Sequence, residues 1–204
     1  MSKAWAGPIV TGLIALGVAV ILAINFQPAR DSKPTPTMPP SSPVSPIGQN
    51  LPEHPIGDPV LKNHIQVNAV WLAGVTMEGM SMPADVIHLE ADIKSTEDNP
   101  NGFAKDEFVP YLKVVYTLLD ASGSAIESGA MSPMIASDGL HYGASLAMPK
   151  PGTYKLTYRI DPPSAGGLGR HVGAGGVAAW WEPFDASFEW VVEPFPAPAP
   201  AKAS

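Results

Sequence analysis

Between residues 61 and 193 the apolar residues come in short runs, and no segment carries a long 3.6-residue apolar period. Residues 86–93 (VIHLEADI) alternate apolar and polar, and residues 64–72 (HIQVNAVWL) are β-branched with partial alternation. Residues 111–119, 152–160 and 186–192 are further strand candidates. Turn signals separate them: Asn99-Pro100-Asn101-Gly102, Ala121-Ser122-Gly123-Ser124, Asp138-Gly139 and Pro162-Pro163. Several short strands at this spacing predict an all-β sandwich or barrel. The Trp180-Trp181-Glu182-Pro183-Phe184 run is read as core packing followed by a turn, because Trp is mostly buried.

What precedes this domain is different in kind. Ile9 to Phe26 is an uncharged apolar run of a length that suits a transmembrane helix better than the shorter core of a signal peptide. Residues 1–26 are therefore expected to be a membrane anchor, with a long, cleaved signal segment as the alternative, and either places the rest of the chain outside the cytoplasm. Residues 27–60 are rich in proline, which fixes φ and removes donors, so they are expected to form an extended spacer. Such a spacer could reach on the order of 100 Å. Residues 61–193 are the expected folded domain, and 194–204 a Pro/Ala tail without structure of its own.

The chain has no cysteine, which excludes disulfides, thiolate zinc sites, iron–sulfur clusters and thiol nucleophiles. Its net charge of -7 argues against a nucleic-acid partner and is compatible with handling cations. A metal would have to be held by His, Met and carboxylates. His88, Glu90 and Asp92 fall on one face of a strand, about 6.6 Å apart in steps of two, while Leu89, Ala91 and Ile93 fall on the other. With a hairpin turn at Asp138-Gly139, Ser137 faces Leu140 and Ala136 faces His141, which makes Met134 a diagonal neighbour of His141. A thioether suits Cu(I), and imidazole suits Cu, Zn and Fe.

A glycine-rich loop over residues 166–176 presents His171 on a flexible arm. It lacks the complete G-x-G-x-x-G and the following helix of a dinucleotide site. Met77, Met80 and Met82 form a thioether-rich loop before the His88 strand, suited either to a soft cation or to adaptable packing. Neither G-x-S-x-G nor H-E-x-x-H is present, so the chain is not expected to be an enzyme.

The run His88-Leu89-Glu90-Ala91-Asp92-Ile93, Asn99-Pro100-Asn101-Gly102-Phe103 and Pro110-Tyr111-Leu112 resembles the periplasmic iron-transport-associated family of copper-binding proteins, partners of high-affinity bacterial iron permeases. The resemblance continues through Pro133-Met134-Ile135-Ala136-Ser137-Asp138-Gly139, His141-Tyr142-Gly143, Gly152-Thr153-Tyr154-Lys155, Asp161-Pro162-Pro163, Gly169-Arg170-His171 and Trp180-Trp181 to Pro183-Phe184. It covers nearly the whole domain and none of the anchor or spacer. It implies an immunoglobulin-like β-sandwich, a homodimer, and copper ligands at His88, Glu90, Met134, His141 and His171, the last reaching the site from a second copy. The chain departs from the family pattern in Ser132 before Pro133, in Leu140 where proline is common, in the Gly/Ala-rich segment after His171, and in the helical anchor with its long spacer.

The expectation is an extracytoplasmic copper-binding protein, tethered to the inner membrane, which assists iron uptake by binding metal and passing iron to a permease. Copper is the expected metal and iron the second. The alternatives are copper scavenging or delivery unrelated to iron, with the Met77/Met80/Met82 loop as a relay, and an adhesion-type sandwich without metal. Ligation by deprotonated groups predicts binding that weakens as pH falls below about 6.

Overall fold

The computed structural model describes residues 51–79, 82–83 and 85–194. The expected anchor, the spacer up to residue 50, Met80 and the tail from residue 195 lie outside the described residues. Among the described residues no helix is long and apolar enough to cross a membrane.

The described chain is all-β and antiparallel. Its strands are β1 (His54–Pro55), β2 (Val60–Lys62), β3 (Ile65–Ala73), β4 (Val86–Ser95), β5 (Lys113–Leu119), β6 (Ala125–Ala136), β7 (Gly139–Ala147), β8 (Gly152–Asp161) and β9 (Phe184–Val192). A single 3-10 turn over Pro163–Gly166 is the helical element found among the described residues. The strands run in the order β1-β3-β4-β7-β6-β5-β8-β9, with β2 also paired to β3. Strand β6 joins the two halves of the sheet. Its first part pairs with β5, ending at Met131 opposite Val114, and its last part pairs with β7, starting at Ser132 opposite Gly143.

The two halves enclose one core, as a sandwich requires. On one side stand Ile65, Val67, Ala69 and Trp71 of β3 with Leu89, Ala91 and Ile93 of β4. On the other are Leu156, Tyr158 and Ile160 of β8 and the strictly alternating inner face of β9, from Phe184 to Val192. The polar tips of the buried tyrosines find partners. Tyr142 donates its phenol hydrogen to the Val109 carbonyl at 2.9 Å and accepts the Leu112 N–H at 3.0 Å. Tyr158 donates to the Glu90 carbonyl at 2.9 Å and so links β8 to the backbone of β4. The Trp180-Trp181 run is irregular, with Trp181 packed against the core and Trp180 stacked on Phe103.

Two sequence expectations change. The spacer was expected to extend to residue 60, but pairing begins earlier. His54 stands opposite Trp71 and stacks on it, with ring centroids 4.1 Å apart, and Ile56 is a core residue whose N–H donates to the Ala69 carbonyl at 2.8 Å. Prolines mask this segment in sequence, yet an edge strand tolerates them because its outer donors are not needed. Gly57 makes the turn at φ 61, where a side chain would be strained. The second change is the register of the β6–β7 hairpin. Ala136 pairs with Gly139, so the two-residue loop is Ser137-Asp138 and Met134 lies directly opposite His141 rather than diagonal to it. Gly139 adopts φ 134 just after the loop instead of within it.

If residues 51–60 belong to the folded unit, Ile56→Ala lowers stability by about 2–5 kcal/mol, as cavities in a packed core do. Urea denaturation of the two proteins measures this, and an unchanged midpoint would place the segment outside the core.

Candidate metal centre

Strand β4 is buried on both faces. Leu89, Ala91 and Ile93 enter the core, which by alternation turns His88, Glu90 and Asp92 to the opposite face. Val70 and Leu72 of β3, opposite Glu90 and His88, are buried as well and shield that face from water. His88 is 2% exposed, Glu90 3% and His141 3%. Strand β7 brings Gly143 opposite Glu90 and Ser145 opposite His88, and β6 brings Met134 opposite His141.

Three adjacent strands thus deliver four candidate ligands to one place. The Glu90 Oε1 lies 3.5 Å from the Nε2 of His88 and 3.4 Å from the Nε2 of His141. The two imidazoles meet edge to face with centroids 5.6 Å apart. Ligand atoms of His88, Glu90 and His141 all fall within 4.8 Å of one another. Met134 lines the same cavity, of about 250 Å³, and its sulfur approaches the His88 ring over Gly143. The sulfur therefore belongs to the site and is not sealed in the core.

The residues fit a cation. His88 Nδ1 is buried without a hydrogen-bond partner, and a carboxyl group is held between two imidazoles in surroundings that penalise uncompensated polar groups. The donor set of two imidazoles, one carboxylate and one thioether mixes hard and soft character.

Burial lowers the His88 pKa to about 4, with a further push from His141, and burial lowers that of His141 as well. Both rings are thus favoured in the neutral form that ligates metal. Burial raises Glu90 to about 8, aided by the charges of Asp92, Asp138 and Glu53. At neutral pH the metal-free site keeps a proton on Glu90 that a cation would have to displace. This moves the expected pH window upward, since a buried carboxyl and not a histidine controls it.

Other predicted residues are placed differently. Asp92 shares the face of His88 and Glu90 but stands outside the three-residue cluster, and burial raises its pKa. His171 is exposed on the glycine-rich arm and does not join the other ligands within the chain. The methionine loop divides: Met77 lines the cavity, while Met82 accepts a weak hydrogen bond from the Ser145 hydroxyl at 4.0 Å. Glu53 was hidden in the proline-rich stretch. It lines the cavity together with Asp138 and hydrogen-bonds to it, which holds the Glu53 carboxyl above its usual range. Asp138 was legible only as a turn residue.

Residues 50–193 match the family model described as Fe2+ transport protein. A UPF0423 protein of Brucella abortus is 43% identical over 152 residues, covering 71% of this chain and 84% of the relative. The 34 kDa membrane antigen of Treponema pallidum is 34% identical, covering 68% and 74% respectively. Among solved structures, FetP from uropathogenic Escherichia coli F11 superposes with a TM-score of 0.65 at 44% identity, covering 70% of this chain and 97% of FetP. Copper-reconstituted P19 from Campylobacter jejuni gives 0.64 at 40% identity, covering 69% and 96%.

Affinity for a cation should rise with pH up to about 8, as ligation removes the proton from Glu90. A competition titration across pH 6 to 9 should show this rise, and Glu90→Gln should flatten it. The metal-free protein carries the same signature. Between about pH 4.5 and 8 the folded chain holds a Glu90 proton that the unfolded chain has released, so this group lowers stability as pH rises. His88 acts oppositely but only between about 4 and 6.5. From pH 6.5 to 8 the metal-free Glu90→Gln protein should therefore lose less melting temperature than the wild type.

Proposed function

Because the chain belongs to the Fe2+ transport protein family, we propose that it is an extracytoplasmic copper-binding protein that assists iron uptake and hands iron to a membrane permease. The observation that carries this reading is the buried Glu90 carboxyl held between His88 and His141, with the Met134 thioether in the same cavity. Copper is the resident metal in this reading, as it is in the copper-bound structures of FetP and P19 variants. His88, Glu90, His141 and Met134 would hold it, and their mixed character accommodates Cu(II) and Cu(I) alike. When bound, copper supplies a positive charge, and a redox centre, in a site the chain has already dehydrated.

Iron is the cargo. It prefers oxygen ligands to thioethers, and the acidic wall of Glu53 and Asp138, with Asp92 close by, supplies them. His171, exposed on its arm, would reach the copper site of a second copy in a homodimer. The apolar run from Ile9 to Phe26 would tether the domain to the inner membrane, with the proline-rich residues after it as a spacer. Copper delivery unrelated to iron is favoured by one feature, the Met77 thioether on the cavity wall.

The protein expressed with copper and washed with EDTA should retain stoichiometric copper by elemental analysis. His141→Ala combined with Met134→Leu should lose it, and unchanged copper in that variant would refute the site. A deletion strain should grow poorly under iron limitation. Poor growth under copper limitation alone would favour the delivery reading.

A further inference from the structure

Gly143 sits buried in the middle of β7, opposite Glu90 on one side and Ser132 on the other. Glycine weakens a strand interior, since it loses the most freedom on folding and packs nothing. The backbone does not call for it, because the φ of Gly143 is not among the positive values found in this chain. Space does. A Cβ at this position would stand 2.6 Å from both Cε1 and Nε2 of His88, and 2.8 Å from the Met134 sulfur. An imidazole nitrogen of β4 and a thioether of β6 thus lie within 2.8 Å of one point above a strand that runs between them. His141, two residues away on the same face of β7, completes the surround.

We propose that Gly143 is a positioning residue of the metal site: its bare backbone lets the His88 imidazole and the Met134 thioether close on a single cation across β7. The inference rests on the copper reading above and extends it, by making one glycine responsible for the soft part of the ligand set. A methyl group at position 143 meets two neighbours of unequal stiffness. The His88 ring is fixed by burial and by its contact with Glu90, whereas the Met134 side chain has three rotatable bonds. Both must move to admit a methyl group, and the flexible thioether is displaced further than the ring. Thioether suits Cu(I), so loss of the sulfur weakens Cu(I) binding more than Cu(II) binding.

The test compares wild type, Gly143→Ala, Met134→Leu and the double variant as full chains. Cu(I) affinity is read by competition with a chromophoric chelator, Cu(II) affinity by a second chelator, and the Cu(II) environment by electron paramagnetic resonance. Gly143→Ala should lower Cu(I) affinity roughly 10–100-fold, the range seen when a group that orients ligands is disturbed. The Cu(II) loss should be smaller, and the resonance spectrum should approach that of Met134→Leu. In the Met134→Leu background the same change should cost Cu(I) affinity less than it does in the wild type, since only the displacement of the His88 ring remains. Equal losses in both oxidation states, or an undiminished loss in the Met134→Leu background, would overturn the inference. So would unchanged affinities, with the copper reading left intact. A wild type that binds no copper would overturn both. If Gly143→Ala fails to fold, adding His88→Ala should restore folding by removing the ring it strikes, and failure to restore would also overturn the proposal.

Discussion

A strand with both faces buried must accommodate whatever points away from the core, and in β4 that is a histidine and a glutamate. The inner face of the strand is held by Leu89, Ala91 and Ile93, each fully buried. The outer face is closed off by Val70 and Leu72 of β3 and by the residues that line the cavity with them, Leu51 and Met77 among these. The same packing that anchors β4 therefore removes His88 and Glu90 from water. Everything else about the site follows from that dehydration. Neutral imidazoles and a protonated carboxyl are the forms that survive it, and a bound cation is what would make the ionised carboxylate favourable.

The geometry is economical because the sheet does the assembly. Strands β4, β7 and β6 are consecutive neighbours, so His88 and Glu90, then His141, then Met134 arrive from three adjacent ladders without any long loop. Strand β6 is long enough to serve both halves of the sheet, and Met134 sits in the part given to β7. The segment from Leu51 to Ile56 adds the remaining wall. Its apolar end is secured by Ile56 in the core and by the His54–Trp71 stack, while Glu53 meets Asp138 across the cavity.

Much of this was legible in the chain. Strands β3, β4, β5, β8 and β9 follow from alternation and turn residues, and the shared face of His88 and Glu90 needs only the two-residue repeat of a strand. The pairing of Met134 with His141 was nearly legible. The Asp138-Gly139 signal located the hairpin, but its loop is Ser137-Asp138, and one residue of slip separates a diagonal pair from a direct one. Strands β1 and β2 were concealed because Pro52, Pro55 and Pro59 read as spacer, and Glu53 went with them. His171 could be singled out as an imidazole on a glycine arm, yet within one chain it stays apart from the other ligands.

Side-chain periodicity is a property of a few consecutive peptides, so the chain alone settles which residues of β4 face together and that its histidine and carboxylate accompany each other. Nothing local reports how deeply a face is covered or what stands across it. Coverage comes from residues far away in sequence, Leu51 and Glu53 before it and Met134 and Asp138 after it. Only when these pack over β4 does an ordinary polar strand face become a dehydrated pocket, because desolvation depends on every neighbour at once. The need for glycine at position 143 arises in the same way. It exists only because a ring from one strand and a sulfur from another claim the space its side chain would fill.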